Sequence, residues 1–230
     1  MQKNAIALGA ILAAASIMNF LPPTRVVSGQ TANPVIITWQ ANNYFPADYA
    51  GRAAVTPGTP VIASVEIIEN NKLVDISKSD IRWYVNDEFK SGGSGLKTFS
   101  FITKQRGSGY ETLRASVGVG DASFQNSVQI NIVQPEVVLD AKSSDKTVRA
   151  RTQLSLSAIP FFFNVDSLNE LSFDWQINNE RVSSNNNEVS VNVGTPNSQF
   201  QKSVPVTVTV KNSGNPYEFG RGFINLFIIK

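Results

Sequence analysis

The chain of 230 residues has no cysteine and no histidine. Without cysteine there is no disulfide, no thiol nucleophile and no thiolate metal site. Without histidine, the usual general base near neutral pH and the commonest zinc ligand are both missing. Charge of either sign is modest: 20 Lys and Arg stand against 18 Asp and Glu. Two of the cations, Lys3 and Arg25, lie in an N-terminal segment that has no acid, so the rest of the chain is balanced. A basic nucleic-acid footprint is therefore not expected. Long helical periodicity is missing after residue 30. Thr, Val, Ile, Asn and Ser dominate instead, which predicts an all-β protein.

What is present is a short stretch that occurs twice. Ile81-Arg82-Trp83-Tyr84-Val85-Asn86-Asp87-Glu88 and Phe173-Asp174-Trp175-Gln176-Ile177-Asn178-Asn179-Glu180 place their tryptophans 92 residues apart, about the length of one small β-sandwich. In each copy three apolar residues alternate with polar ones, the pattern of a half-buried strand whose tryptophan points inward. The Asn-Asp or Asn-Asn that follows suits a turn.

The N-terminus has a different character. Lys3 precedes an apolar run from Ala5 to Met18; Asn19, Pro22 and Pro23 end it, and Val27-Ser28-Gly29 follows. Residues 1–29 read as a secretory signal peptide cleaved after Gly29, or as an uncleaved membrane anchor. The run is shorter than the ~20 residues of a spanning helix, which favours cleavage. The expected location is extracellular, at the cell surface, or anchored outside the cytoplasm.

Two modules are expected, 30–134 and 135–230, joined at Pro135 without a Gly/Ser linker. In the first, strands are predicted at 34–39, 61–68, 80–86, 96–103, 110–119 and 124–133. Turns are predicted at Asn70-Asn71, Ser91 to Gly95, Gly107 to Gly109 and Gly120-Asp121. In the second, strands are predicted at 137–140, around Leu154 to Ala158, 171–178, around Val189 to Val193, around Val204 to Val210, and 219–229. A long connection, Ala41 to Thr59, interrupts the first module.

Gly109-Tyr110-Glu111-Thr112-Leu113-Arg114-Ala115-Ser116-Val117, followed by Gly120-Asp121 and Ser127-Val128-Gln129-Ile130, resembles the closing strands of a PKD or other immunoglobulin-like module. The tryptophan strand is similar to the third strand of such modules, although Tyr84-Val85-Asn86-Asp87-Glu88 stands where the PKD family has Asp-Phe-Gly-Asp-Gly. Through Thr38 to Gly51 and Ala158 to Phe163, nearly everything after residue 33 resembles exported bacterial proteins with tandem modules of this type, met near pilus or cell-surface genes. The resemblance implies two tandem immunoglobulin-like β-sandwiches outside the cytoplasm, and no reaction.

Trp83 and Trp175 are expected in the cores, one per module. Trp39, Tyr44, Phe45 and Tyr49 form the densest aromatic cluster and are the candidate binding residues. Rings on an exposed loop can stack on sugars or anchor a protein. The competing reading is a loop folded back on its own sandwich. Gly92-Gly93-Ser94-Gly95-Leu96-Lys97-Thr98 has a phosphate-loop look, but Leu96 breaks the Gly-Lys-Ser/Thr pattern and Phe99 and Phe101 predict a following strand, so it reads as a flexible turn. Asp75, Asp80, Asp87, Glu88 and Asp121 lack calcium-loop spacing, and only Glu136 and Asp140 lie at the junction. Lys142, Lys146, Arg149 and Arg151, interrupted by Asp145, read as a solvated hairpin. No cofactor or metal is expected. The expected function is that of a non-enzymatic surface, structural or adhesion module. Its expected partner is a protein of the cell envelope, with a glycan as the alternative. Any membrane contact would come only through an uncleaved N-terminal segment.

Overall fold

The computed structural model describes residues 34–104, 107, 109–141, 146–193 and 203–229. The signal or anchor expectation for residues 1–29, and Lys142, lie outside them. The described residues form strands with a single 3₁₀ turn, Leu168–Glu170.

From Val35 to Ile132 the strands are β1 (Val35–Ala41), β2 (Pro60–Glu69), β3 (Lys72–Leu73), β4 (Asp80–Val85), β5 (Glu88–Ser94), β6 (Thr98–Ile102), β7 (Gly109–Val119) and β8 (Ala122–Ile132). β2 is the centre of one sheet, with β1 on one side and β3 and β6 on the other; the facing sheet runs β5-β4-β7-β8. From Glu136 to Ile229 come β9 (Glu136–Asp140), β10 (Thr147–Arg149), β11 (Thr152–Phe161), β12 (Leu171–Ile177), β13 (Glu180–Val182), β14 (Glu188–Val193), β15 (Ser203–Asn212) and β16 (Phe219–Ile229). Here one sheet is β14-β11-β9 and the other β10-β16-β15-β12-β13. Each pair of sheets encloses its own apolar cluster, one built from Val35 to Ile132 and the other from Val137 to Leu226. The architecture is all-β, with immunoglobulin-like sandwiches in which the short fourth strand has joined the sheet of the third.

The indoles organise both cores in the same way. Trp83 and Trp175 are fully buried. Trp83 donates its indole N–H to the Leu96 carbonyl at 2.9 Å, two residues before β6. Trp175 donates to Asn186 at 3.2 Å, two residues before β14. The indole therefore ties the sheet of its own strand to the strand entering the opposite sheet, and satisfies its only donor while doing so. Phe99 stacks on Trp83 with ring centres 5.6 Å apart.

The tryptophan strands turn back through two-residue loops with positive φ at both positions, Asn86-Asp87 and Asn178-Asn179, as Asn70-Asn71 does between β2 and β3. These are hairpin turns matched to strand twist, and asparagine and aspartate tolerate them best. They create β5 and β13, which the sequence pattern did not show. The turn expected over Ser91 to Gly95 is corrected accordingly: Ser91 to Ser94 belong to β5, with Gly92 and Gly93 opposite Arg82 and Ile81. An edge strand needs no alternating apolar side chains, because its ladder is made by the backbone. The turn itself begins at Gly95, whose φ is +68° and whose added Cβ would lie 2.2 Å from the Ser77 carbonyl oxygen. The expected basic hairpin is also corrected, since Thr147 to Arg149 pair in parallel with Phe227 to Ile229 rather than with β11.

That parallel pairing marks where the opening strand of the second sandwich changes sheet, from β9 beside β11 to β10 beside β16. The first sandwich makes the same switch with one residue. Val55 bridges Ile132 in parallel, and Val133 donates to the Val55 carbonyl at 2.9 Å. The long connection after β1 is thus an insertion at the switch.

Removing either indole leaves a large cavity and orphans no charge. Trp83→Ala and Trp175→Ala are each expected to cost about 3–5 kcal/mol. Urea unfolding followed by a reporter in the altered sandwich checks this, and a loss below the cost of an ordinary surface change contradicts it.

Candidate functional site: the junction and its aromatic loop

Three residues, Val133-Gln134-Pro135, separate β8 from β9, so the two sandwiches meet closely. The loop inserted at the strand switch crosses this junction. Tyr44 forms an antiparallel bridge with Phe163: Tyr44 N–H donates to Phe163 O at 2.7 Å, and Phe162 N–H donates to Tyr44 O at 2.6 Å. The loop therefore does both things: Arg52 and Val55 fold back on its own sandwich, as one reading of the sequence had it, while Tyr44 crosses to pair with the segment after β11. Backbone donors and acceptors on both segments gain partners that neither sandwich supplies alone.

Phe162 makes this possible by an unusual conformation. Its φ is +64°, rare for a bulky side chain. Its carbonyl accepts from Thr56 Oγ1 at 3.0 Å and from Asn43 Nδ2 at 3.4 Å, both across the junction. Its ring meets Tyr49 edge to face, with centroids 5.6 Å apart, and Phe161 does the same at 5.5 Å. Such ring pairs add to the burial that holds the twisted backbone.

Beside the bridge lies a polar network. Thr56-Pro57-Gly58-Thr59 is a turn closed by Thr59 N–H to Thr56 O at 3.1 Å, with Gly58 at φ +85°. Proline at the second position and glycine at the third are the residues a type II turn requires. Thr59 Oγ1 donates to Asn164 Oδ1 at 2.7 Å, and Asn164 Nδ2 donates to Pro57 O at 3.0 Å and Thr56 Oγ1 at 3.3 Å. Thr103, at the end of β6, fixes the turn from below by donating to Thr56 O at 2.9 Å.

Asn164 is held in turn by Glu218, which is 5 % exposed. The Asn164 N–H donates to Glu218 Oε1 at 2.7 Å, and Asn212 Nδ2 donates to Glu218 Oε2 at 2.6 Å. Burial pushes the Glu218 carboxyl above its ordinary range; the bonds from Asn212 and Asn164 offset this only in part. Asn212 Oδ1 accepts from Gly214 N–H at 2.8 Å, so the β15–β16 turn is bound into the same network.

The four candidate binding residues are dispersed by this arrangement. Trp39 lies on β1, with the Arg52 guanidinium 3.5 Å above its ring and Arg52 Nη2 bonded to its carbonyl. Tyr44 is in the bridge, and burial raises its phenol pKa. Tyr49 packs between Phe45 and the Phe161-Phe162 pair. Phe45 is the most open of the four, at 37 %. They do not form a planar row. Tyr44 and Phe45 instead line one side of a groove of about 540 Å³, with Asn42, Asn164, Asp166 and Glu170 among its other walls. Thr56, Thr59, Asn164, Asn212 and Glu218 were missed in the sequence. Only the Thr-Pro-Gly-Thr turn carried a local signal there.

Most of the scattered acids are engaged locally: Asp80 with Arg82 at 2.9 Å, Glu88 with Lys90 at 2.7 Å, Asp87 with Arg114 at 3.5 Å, and Asp75 with the Ser77 N–H at 2.9 Å. Among the described residues no three acids converge on a point.

No family model and no curated protein matches the sequence. Among solved structures, the fibronectin(III)-like modules of CbhA from Clostridium thermocellum align over 84 % of this chain and 94 % of theirs, at 14 % identity and a TM-score of 0.30. Three N-terminal domains of the highly immunogenic outer capsid protein of bacteriophage RB49 align over 84 % and 58 %, at 12 % identity and 0.43. The ectodomain of mouse nectin-like molecule 4 aligns over 85 % and 64 %, at 12 % identity and 0.34.

Two outcomes follow from the network. A carboxyl raised in the folded state holds its proton more tightly there, so its stabilising share is present below the unfolded pKa and lost as pH climbs through the folded one. Between about pH 4.3 and neutrality, wild type is expected to lose stability relative to Glu218→Gln; parallel stability curves in a pH series would contradict this. Asn164→Ala removes the side-chain bonds across the junction and is expected to cost about 1–3 kcal/mol. NMR relaxation should then show the two sandwiches tumbling less as one body.

Proposed function

We propose that the chain is an exported, non-enzymatic structural or adhesion module of the cell surface that binds a protein partner in an envelope or pilus-associated assembly. The observation that carries this reading is the junction. A strand bridge, a ring cluster and a polar network hold two sandwiches at a set angle, which suits a part that transmits force or spaces a binding surface. The absence of histidine and cysteine from the whole chain supports a non-enzymatic role, and the apolar run at residues 5–18 supports export.

A second reading has one observation in its favour. Phe45 stands half-exposed at the rim of a groove that also carries Asn42, Asn164, Asp166 and Glu170. An aromatic face beside amide and carboxylate groups is the chemistry that takes a sugar ring. Capture from native envelope, run beside a glycan array with wild type and Phe45→Ala, separates the two. The protein-binding reading expects specific envelope proteins and a blank array. Array signals lost in Phe45→Ala would replace it with the glycan reading.

A further inference from the structure

The two sandwiches can be superposed through their strand registers. Trp83 is opposite Ala115, which is opposite Asn126; Trp175 is opposite Val208, which is opposite Gly222. β8 and β16 are therefore equivalent, with Asn126 matching Gly222. The outward positions of β8 are Ser123, Gln125, Ser127, Gln129 and Asn131. The matching positions of β16 are Phe219, Arg221, Phe223, Asn225 and Phe227.

The three phenylalanines are 46 %, 65 % and 49 % exposed. Their cross-strand neighbours on β15 are short or polar: Lys211 opposite Phe219, Thr207 opposite Phe223 and Ser203 opposite Phe227. The rings are not needed to complete the sandwich. The inward side of β16 packs directly on β9, where an added Cβ on Gly220 would lie 2.9 Å from Val137 Cγ2 and one on Gly222 3.1 Å from the Val137 carbonyl oxygen. Nor does the strand need aromatic residues for its own propensity, because β8 occupies the same place with serine, glutamine and asparagine. A row of outward phenylalanines on one copy of a duplicated strand marks a surface that is covered by something else.

We infer that the outward face of β16 binds a second copy of this chain, strand against strand and antiparallel. The row is symmetric about Phe223, with a phenylalanine four residues to either side and one polar residue in each gap. Antiparallel facing about Phe223 sets Phe219 against the partner's Phe227. It also sets Arg221, which has no acidic partner among the described residues, against the partner's Asn225. Asn225 Oδ1 is itself buried in its own chain, so what this facing achieves is to keep the two Arg221 cations apart. Parallel facing would instead set Arg221 against its own copy, a repulsion between like charges. The face is thus complementary to itself under a two-fold axis, as an isologous contact requires. Two sheets packed face to face leave about 10 Å between them, room for one interleaved layer of phenylalanine rings. This inference does not depend on the envelope partner or the glycan proposed above.

Sedimentation equilibrium of the full-length chain, from micromolar to sub-millimolar concentration, tests it. Wild type is expected to form a dimer. Phe223→Ser, which installs the residue found at the matching position 127, is expected to weaken it by about tenfold or more while the far-UV spectrum stays unchanged. If that variant does not fold, Phe223→Thr keeps the strand propensity and takes its place. Since the chain has no cysteine, Thr207→Cys puts a single thiol beside Phe223, and a short bis-maleimide should join two copies through it. Arg114→Cys, the matching position of the first sandwich, should stay uncrosslinked. A wild type that is monomeric throughout, an association that survives Phe223→Ser, or equal cross-linking at positions 207 and 114 would overturn the inference.

Discussion

The pairing of Tyr44 with Phe163 sets the form of this protein. Two hydrogen bonds between loop backbones, 2.7 and 2.6 Å long, join the sandwiches beyond the three residues before β9, and the side-chain bonds of Thr56, Thr59 and Asn164 lie beside them. The bridge needs Phe162 in a left-handed conformation, and that conformation turns its carbonyl towards Thr56 and Asn43. Each contact depends on the others. The ring of Tyr49 reaches Phe161 and Phe162 only if the loop crosses, and the Tyr44 backbone is satisfied only if the two segments meet.

Glu218 contributes to the same junction from a distance. Its carboxylate is buried with amide donors and without a cation among the described residues, so its charge is a cost that the bonds from Asn164 and Asn212 only partly offset. Such a group is poor value for stability alone. What it does is orient the Asn164 backbone, and through it the side chain that reaches Thr59, Thr56 and Pro57. The polar network bonds one sandwich to the other, and the ring cluster adds apolar contact beside it.

The two halves share a plan and differ where they meet other things. The indole bond to the strand entering the opposite sheet is the same in both, as are the asparagine hairpins that follow. The strand switch carries an inserted loop in the first half, and that loop serves the junction. The closing strand carries polar residues outward in the first half and phenylalanines in the second. In a duplicated fold the cores keep one solution to one packing problem, while outward positions diverge according to what covers them.

Much of this was legible in advance for a physical reason. Alternation at period two names an inward face whether or not its partner strand is known, so Trp83, Trp175, Leu113 to Val117 and Val204 to Val210 declared their strands. Asparagine pairs announced turns because few other residues accept positive φ twice in succession. β5 escaped because an edge strand is held by backbone bonds, and Gly92-Gly93 has no side-chain pattern to read. The aromatic loop was visible as a cluster, but its destination was not, since Tyr44 and Phe163 are far apart in the chain. The sequence by itself determined the class of fold, the duplicated indole strand and the lack of thiol and imidazole chemistry, because composition and local period depend only on neighbours. Tertiary structure alone decided that the loop bridges two sandwiches, that Glu218 is buried beneath the bridge, and that Phe219, Phe223 and Phe227 face outward, because each depends on which distant backbone comes to lie alongside.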